Sequence, residues 1–161
     1  MKKLLLITAM LTIFGLAVNA QKAVYNFNDG TWGTPVADRP ESGSFTSTTV
    51  NDVKFNNAII YQKDGKGSSR VILDKRSTKA SIEFPAFSDA KEVIVEASVG
   101  TEGRTLVIEE KVGNKWIPIK EPVELTKQKA AYSFPLSEKA TQIRVLNPTS
   151  SSLYIYKVTI K

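Results

Sequence analysis

Residues 92–119 read EVIVEASVGTEGRTLVIEEKVGNKWIPI, and this stretch decides the fold. Val93, Val95, Ala97 and Val99 fall on one side of an extended chain, and Glu92, Glu96 and Ser98 on the other, with Ile94 the exception. Leu106 and Ile108 then alternate with Thr105, Val107 and Glu109. A period of two is the mark of a strand with one buried face. Val112-Gly113-Asn114-Lys115 turns the chain back into Trp116-Ile117-Pro118-Ile119, because Gly-Asn supplies the backbone freedom that a tight hairpin needs.

The pattern extends in both directions. Toward the C-terminus, Tyr132, Phe134 and Leu136 form one face, and Ile143 and Val145 form another opposite Gln142 and Arg144. Residues 142–146 and 153–160 read as a terminal β-hairpin around Asn147-Pro148-Thr149-Ser150-Ser151-Ser152. On its last strand both Leu153/Ile155 and Tyr156/Val158/Ile160 are apolar, so the pattern leaves the inward set open. Ser137-Glu138-Lys139-Ala140 is a candidate for one helical turn at a corner. Toward the N-terminus, strands are expected at 23–27, 45–50 (an edge), 53–55, 58–61 and 80–84, with turns at Asn28-Asp29-Gly30, Asn51-Asp52 and 63–67. Residues 31–44 form the one long loop and carry Trp32. Turn signals every 8–12 residues or so, without a sustained helical stripe, predict an all-β, single antiparallel β-sandwich.

The N-terminus reads differently. Met1-Lys2-Lys3, an apolar run from Leu4 to Val18 and small residues before position 21 predict a signal peptide over 1–20,. The run is shorter than the roughly 20 residues of a membrane span. The domain is therefore expected over 21–161, exported to the periplasm or exterior, with no membrane span after cleavage. There is no cysteine in the chain, so no disulfide framework supports it. The net charge of +6 is spread along the sequence. Nucleic-acid binding would call for clustering on one element, and none is expected here.

Chemistry is bounded by what is missing. With no histidine and no cysteine, Ser-His-Asp and Cys-His catalysis and most zinc sites are excluded. Carboxylates remain. Glu109 and Glu110 are adjacent and point to opposite faces, whereas Glu83, Glu96 and Glu109 lie on separate strands that could share a face. The ordinary reading of these is solvated charge, and the chain is expected not to be an enzyme.

Three segments together, EVIVEASV, RTLVIEEKVGNKWIPI and AYSFPLSEKATQIRVLNPTSSSLYIYKVTIK, resemble the second half of galactose-binding-like, jelly-roll modules. Such modules occur in exported Gram-negative proteins, often joined to glycan-degrading enzymes. The resemblance covers residues 80–161 and implies a non-catalytic carbohydrate-binding module with a polysaccharide or oligosaccharide partner. The alternative is a structural or protein-interaction subunit of the cell envelope. Sugar binding uses rigid aromatic rings against apolar C–H faces, with polar groups beside them for hydroxyls. Trp32, Trp116, Arg104, Arg144 and Tyr154 are the candidate ligand-binding residues; Tyr25, Tyr132 and Tyr156 read as core. The resemblance also raises a structural calcium ion, for which Asn28 and Asp29 offer oxygen ligands. The last strand reads Tyr154-Ile155-Tyr156-Lys157, a lysine where many calcium-bearing members carry an acid, and no other cofactor is expected.

Overall fold

A computed structural model describes residues 23–32, 48–61, 69–73, 80–149 and 151–161. The signal peptide, most of the long loop, residues 45–47 of the expected edge strand and the 63–67 turn lie outside the described residues.

Thirteen strands form in chain order: β1 (Ala23–Asn26), β2 (Thr48–Val50), β3 (Val53–Asn56), β4 (Ala58–Tyr61), β5 (Arg70–Leu73), β6 (Ser81–Glu83), β7 (Glu92–Val99), β8 (Arg104–Val112), β9 (Lys115–Pro118), β10 (Val123–Leu125), β11 (Ala130–Pro135), β12 (Ala140–Leu146) and β13 (Leu153–Ile160). They pair antiparallel into two sheets. Sheet A runs β11-β7-β13-β5-β4, with β1 also on β13; sheet B runs β10-β8-β12-β6-β3-β2, with β9 also on β8. From β5 onward the chain passes repeatedly from one sheet to the other, as a jelly-roll sandwich requires. No helix among the described residues is long and apolar enough to cross a membrane.

The core lies between the sheets. Val93, Val95, Ala97 and Val99 of β7 face Leu106 and Ile108 of β8, with Phe55, Phe84 and Phe134 filling the interior. Phe55 and Phe84 are fully buried. Removal of this apolar area from water is the main stabilising term, at about 25 cal/mol per Å².

Local chemistry accounts for the turns. Asn51 and Asp52 both have positive φ, at 48° and 63°, and link Val50 to its partner Val53. Both central residues of a type I′ turn need that sign, which Asn and Asp tolerate best after Gly. Gly113 has φ of 59° at the first position of the two-residue turn from Val112 to Lys115. Asn57, at φ 49°, is the single residue by which the chain leaves β3 in one sheet for β4 in the other.

Two expectations are revised, one open choice is resolved and two strands are added. The terminal pair is not a hairpin: β12 lies inside sheet B and β13 inside sheet A, so residues 147–152 bridge the sandwich. The inward set of β13 is neither alternative alone. A bulge between Ile155 and Lys157 shifts the alternation, so Leu153/Ile155 face inward before it and Val158/Ile160 after it. Tyr156, at the bulge, turns outward. Ser137–Ala140 forms a turn rather than a helix, closed by the Ala140 amide donating to the Ser137 carbonyl at 3.1 Å. The strands β5 and β10 were not expected from the pattern.

The bridge of the sandwich is held by Asn147, which is 0 % exposed. Its Nδ2 donates to the carbonyls of Leu73 and Ser151 at 3.0 and 2.6 Å. Its Oδ1 accepts from the Thr149 amide and hydroxyl, each at 3.1 Å. Both donors and both lone pairs of the amide are used.

Candidate functional site

Two sheet faces point away from the core, and the candidate residues divide between them and the interior. On the outer face of sheet B, strand register lines up Lys54, Glu83, Arg144, Glu109 and Pro118 across five strands. Charges alternate along the first four. Lys54 lies 3.9 Å from Glu83; Asn56 donates to Glu83 at 3.0 Å; Arg144 Nε donates to Glu109 Oε2. In the adjoining row, Gln142, Lys111 and Trp116 are register partners.

Trp116 stands at the end of this face, half-buried on β9. The Arg144 guanidinium lies 4.6 Å and the Lys111 ammonium 5.6 Å from its ring centroid. Arg144 is thereby held from two sides, by the ring through cation–π attraction and by Glu109 through its charge. Lys111 also reaches Gln142 Oε1 at 3.4 Å. The result is an indole flanked by charged and amide groups that can meet hydroxyls. Trp116 and Arg144, separate in sequence, are brought together here.

Tyr154 belongs to the opposite face. On sheet A the Arg70 guanidinium sits between the Tyr61 and Tyr154 rings, 5.0 and 4.5 Å from their centroids. Tyr156 lies on the same face, its hydroxyl 2.9 Å from Ser98 Oγ, with the Lys129 ammonium 5.5 Å from its ring centroid. Sequence reasoning placed Tyr156 in the core; the bulge puts it here. Tyr61 and Arg70 were not named as site residues, because their closeness to Tyr154 depends on β5 pairing with β13.

The remaining candidates have structural places. Trp32 is 6 % exposed. Its ring meets those of Phe27 and Phe55 edge-on at 4.9 and 6.2 Å, and Nε1 donates to the Asn26 carbonyl at 2.8 Å. A ring enclosed in this way has no face for a ligand, so Trp32 is corrected to the core. Arg104 lies at the end of β8 and donates through Nη1 to the Ser152 carbonyl at 2.7 Å. It ties sheet B to the start of β13 rather than standing on either binding face.

The oxygen ligands named for calcium, Asn28 and Asp29, lie in the turn after β1. Asp29 Oδ1 already accepts from the Thr31 amide and hydroxyl, at 3.1 and 2.7 Å. Lys157 is the register partner of Asn26. Among the described residues no group of three acidic, histidine or cysteine side chains gathers. Asp29 therefore has a place in the turn after β1, with its Oδ1 engaged by Thr31.

The carboxylates do not converge either. Glu83 and Glu109 share sheet B's outer face, but Glu96 lies on sheet A's. Glu110 is buried and accepts from the Ser137 amide at 2.9 Å. Glu96 takes Lys157 at 2.9 Å and Lys129 at 3.6 Å. The Lys157 hydrogen bond, opposed in part by burial and aided by both lysine charges, holds the Glu96 carboxyl below its ordinary value. A depressed folded-state pKa adds stability at pH well above 4.5, the ordinary value, which is lost as pH falls below it,. Glu96→Gln should therefore flatten the acid limb of a plot of melting temperature against pH; an unchanged limb would mean the lysine pair is worth nothing.

No protein-family model matches the sequence, and no curated protein is similar to it in sequence. The architecture, in contrast, has solved counterparts. A family 29 carbohydrate-binding module from Piromyces equi superposes with a TM-score of 0.55 at 12 % identity, over 89 % of this chain and 91 % of that one. A family 35 carbohydrate-binding module from Clostridium thermocellum gives 0.51 at 15 % identity, over 88 % and 98 %. The chain shares the β-sandwich fold of these two modules. The K2 cleaved adhesin domain of Lys-gingipain shares it too, with a TM-score of 0.56 at 10 % identity, over 88 % and 99 %. At these identities the likeness is one of architecture, and the site must be argued from this chain's own residues.

Proposed function

We propose that the chain is an exported, non-catalytic module that binds glycans on the outer face of sheet B. The observation that carries this reading is the half-buried Trp116 ring beside Arg144, Lys111, Gln142 and Glu109. An indole is broad and rigid, so it gives up little entropy when an apolar sugar face stacks on it. Arg144 and Lys111 donate, Glu109 accepts, and Gln142 does both, which matches the mixed character of sugar hydroxyls. Glu109 fixes Arg144 in advance, so less ordering is needed on binding. The carbohydrate-binding-module architecture supports the same reading.

Catalysis is not part of the proposal. A glycosidase sets one carboxylic acid against one carboxylate across the scissile bond. Here Glu109 is bound to Arg144, and Glu83 to Lys54 and Asn56, so both act as anchors for their neighbours.

The test is affinity electrophoresis of the protein in gels containing neutral polysaccharides. A neutral glycan is expected to retard the wild type, and Trp116→Ala should weaken binding by roughly tenfold or more. Its melting temperature should change little, since the ring lies outside the core. If no glycan retards the wild type, an interaction role in the cell envelope takes precedence.

A further inference from the structure

The outer face of sheet A carries a feature that the sheet B site does not explain. The bulge at Tyr156 and Lys157 interrupts β13, the central strand of its sheet. A bulge disrupts the ladder locally, and such features recur where a side chain must be re-aimed. Here it sends Tyr156 and Lys157 to the same outer side, next to Glu96. The face they join already holds Tyr61, Arg70 and Tyr154.

Two lysines, 129 and 157, share the single carboxylate of Glu96, so this cluster keeps an uncompensated positive charge. The Lys129 and Lys157 side chains remain 50 % and 36 % exposed. Arg70 lies between two tyrosine rings, 5.0 and 4.5 Å from their centroids, and holds them together on this face,. On sheet B, by comparison, Lys54 and Arg144 each have a carboxylate of their own, and Lys111 is held by the Gln142 amide and the Trp116 ring. The two faces therefore differ in the aromatic residue used and in how their cations are held: two lysines converge on one carboxylate on sheet A.

We propose that the outer face of sheet A is a second glycan-contact face, one that takes sugars bearing carboxylate or sulfate groups. It rests on the glycan-binding reading of the fold. Tyrosine rings at 61, 154 and 156 supply surfaces for sugar C–H faces. Lys129 and Lys157 supply the countercharge, on a face whose bulge aims Tyr156 and Lys157 outward.

The experiment is affinity electrophoresis in polygalacturonate, in a sulfated galactan and in a neutral galactomannan. The proteins are the wild type, Tyr156→Ala, the double variant Lys129→Ala/Lys157→Ala, Trp116→Ala and the charge control Lys139→Ala, whose residue sits in the exposed turn at 137–140. Tyr154→Phe and Tyr156→Phe, which keep the rings, guard against loss of folding, and each variant's melt is recorded. One or both anionic gels should retard the wild type, less so at higher ionic strength. Tyr156→Ala should weaken that retention at least roughly fivefold without changing net charge. The double lysine variant should weaken it further, and Trp116→Ala and Lys139→Ala should leave it in place. Retardation by galactomannan with none by either anion overturns this proposal while the sheet B reading stands. Retention that falls equally with Lys139→Ala is unspecific attraction of a basic protein and also overturns it. Retardation by no gel at all overturns both readings.

Discussion

Trp32→Ala should cost about 3–5 kcal/mol of folding stability and lower the melting temperature by roughly 10 °C or more. The ring closes the aromatic cluster of Tyr25, Phe27 and Phe55, and its loss leaves a cavity between elements that are already packed. It also orphans the Asn26 carbonyl that accepts the indole N–H. Trp32→Phe keeps part of the volume and should recover more than half of the loss. Thermal melts of the two variants decide the matter. A Trp32→Ala protein as stable as the wild type would place this ring outside the core.

Asn147→Ala should be nearly as damaging, at about 3 kcal/mol. Truncation leaves the Leu73 and Ser151 carbonyls and the Thr149 amide and hydroxyl without the side chain that joins them. Because Asn147 is fully buried, the methyl of alanine replaces none of these bonds. Asn147→Asp keeps the shape but turns a donor into an acceptor facing two carbonyls, so it should be no better than alanine. Chemical denaturation measures the difference directly. A loss under about 1 kcal/mol would mean that water takes over the bridge.

Much of the sandwich was legible from alternation. Strands 92–99 and 104–112 each bury one face, and burial of one face writes a period of two into the residues themselves. What alternation cannot carry is which sheet a strand joins. Asn-Pro-Thr-Ser-Ser-Ser closes a hairpin and crosses a sandwich equally well; pairing of β12 with β8 and of β13 with β7 is a property of distant segments. The ambiguity of the last strand had a physical source. A one-residue bulge makes odd positions inward at 153 and 155 and even ones inward at 158 and 160, so no single parity fits. The four-residue β5 was missed because its Val71-Ile72-Leu73 core is an unbroken apolar run with no alternation to mark it.

The candidate site was partly legible. Trp116 and Arg144 were named from residue type and strand position, and the sheet brings them within 4.6 Å. Trp32 was misjudged because it follows a turn, and a loop residue that folds back over the core leaves no local mark. Arg104 was misjudged because its role depends on the crossover at Ser152. Tyr61 and Arg70 carried no signal, since their stacking with Tyr154 requires the β4-β5-β13 order.

The central claim is that Trp116 contacts glycan, and the chain's two tryptophans allow it to be read optically. Trp32→Phe leaves Trp116 as the sole indole; Trp116→Phe leaves the buried one. Each is titrated with a fragment of the neutral polysaccharide that retards the wild type, and tryptophan emission is followed. Stacking of sugar on Trp116 should shift the emission of Trp32→Phe saturably and leave Trp116→Phe unchanged. A shift that persists in Trp116→Phe, or none in Trp32→Phe while binding is measured by another method, would contradict the assignment of the site to the outer face of sheet B.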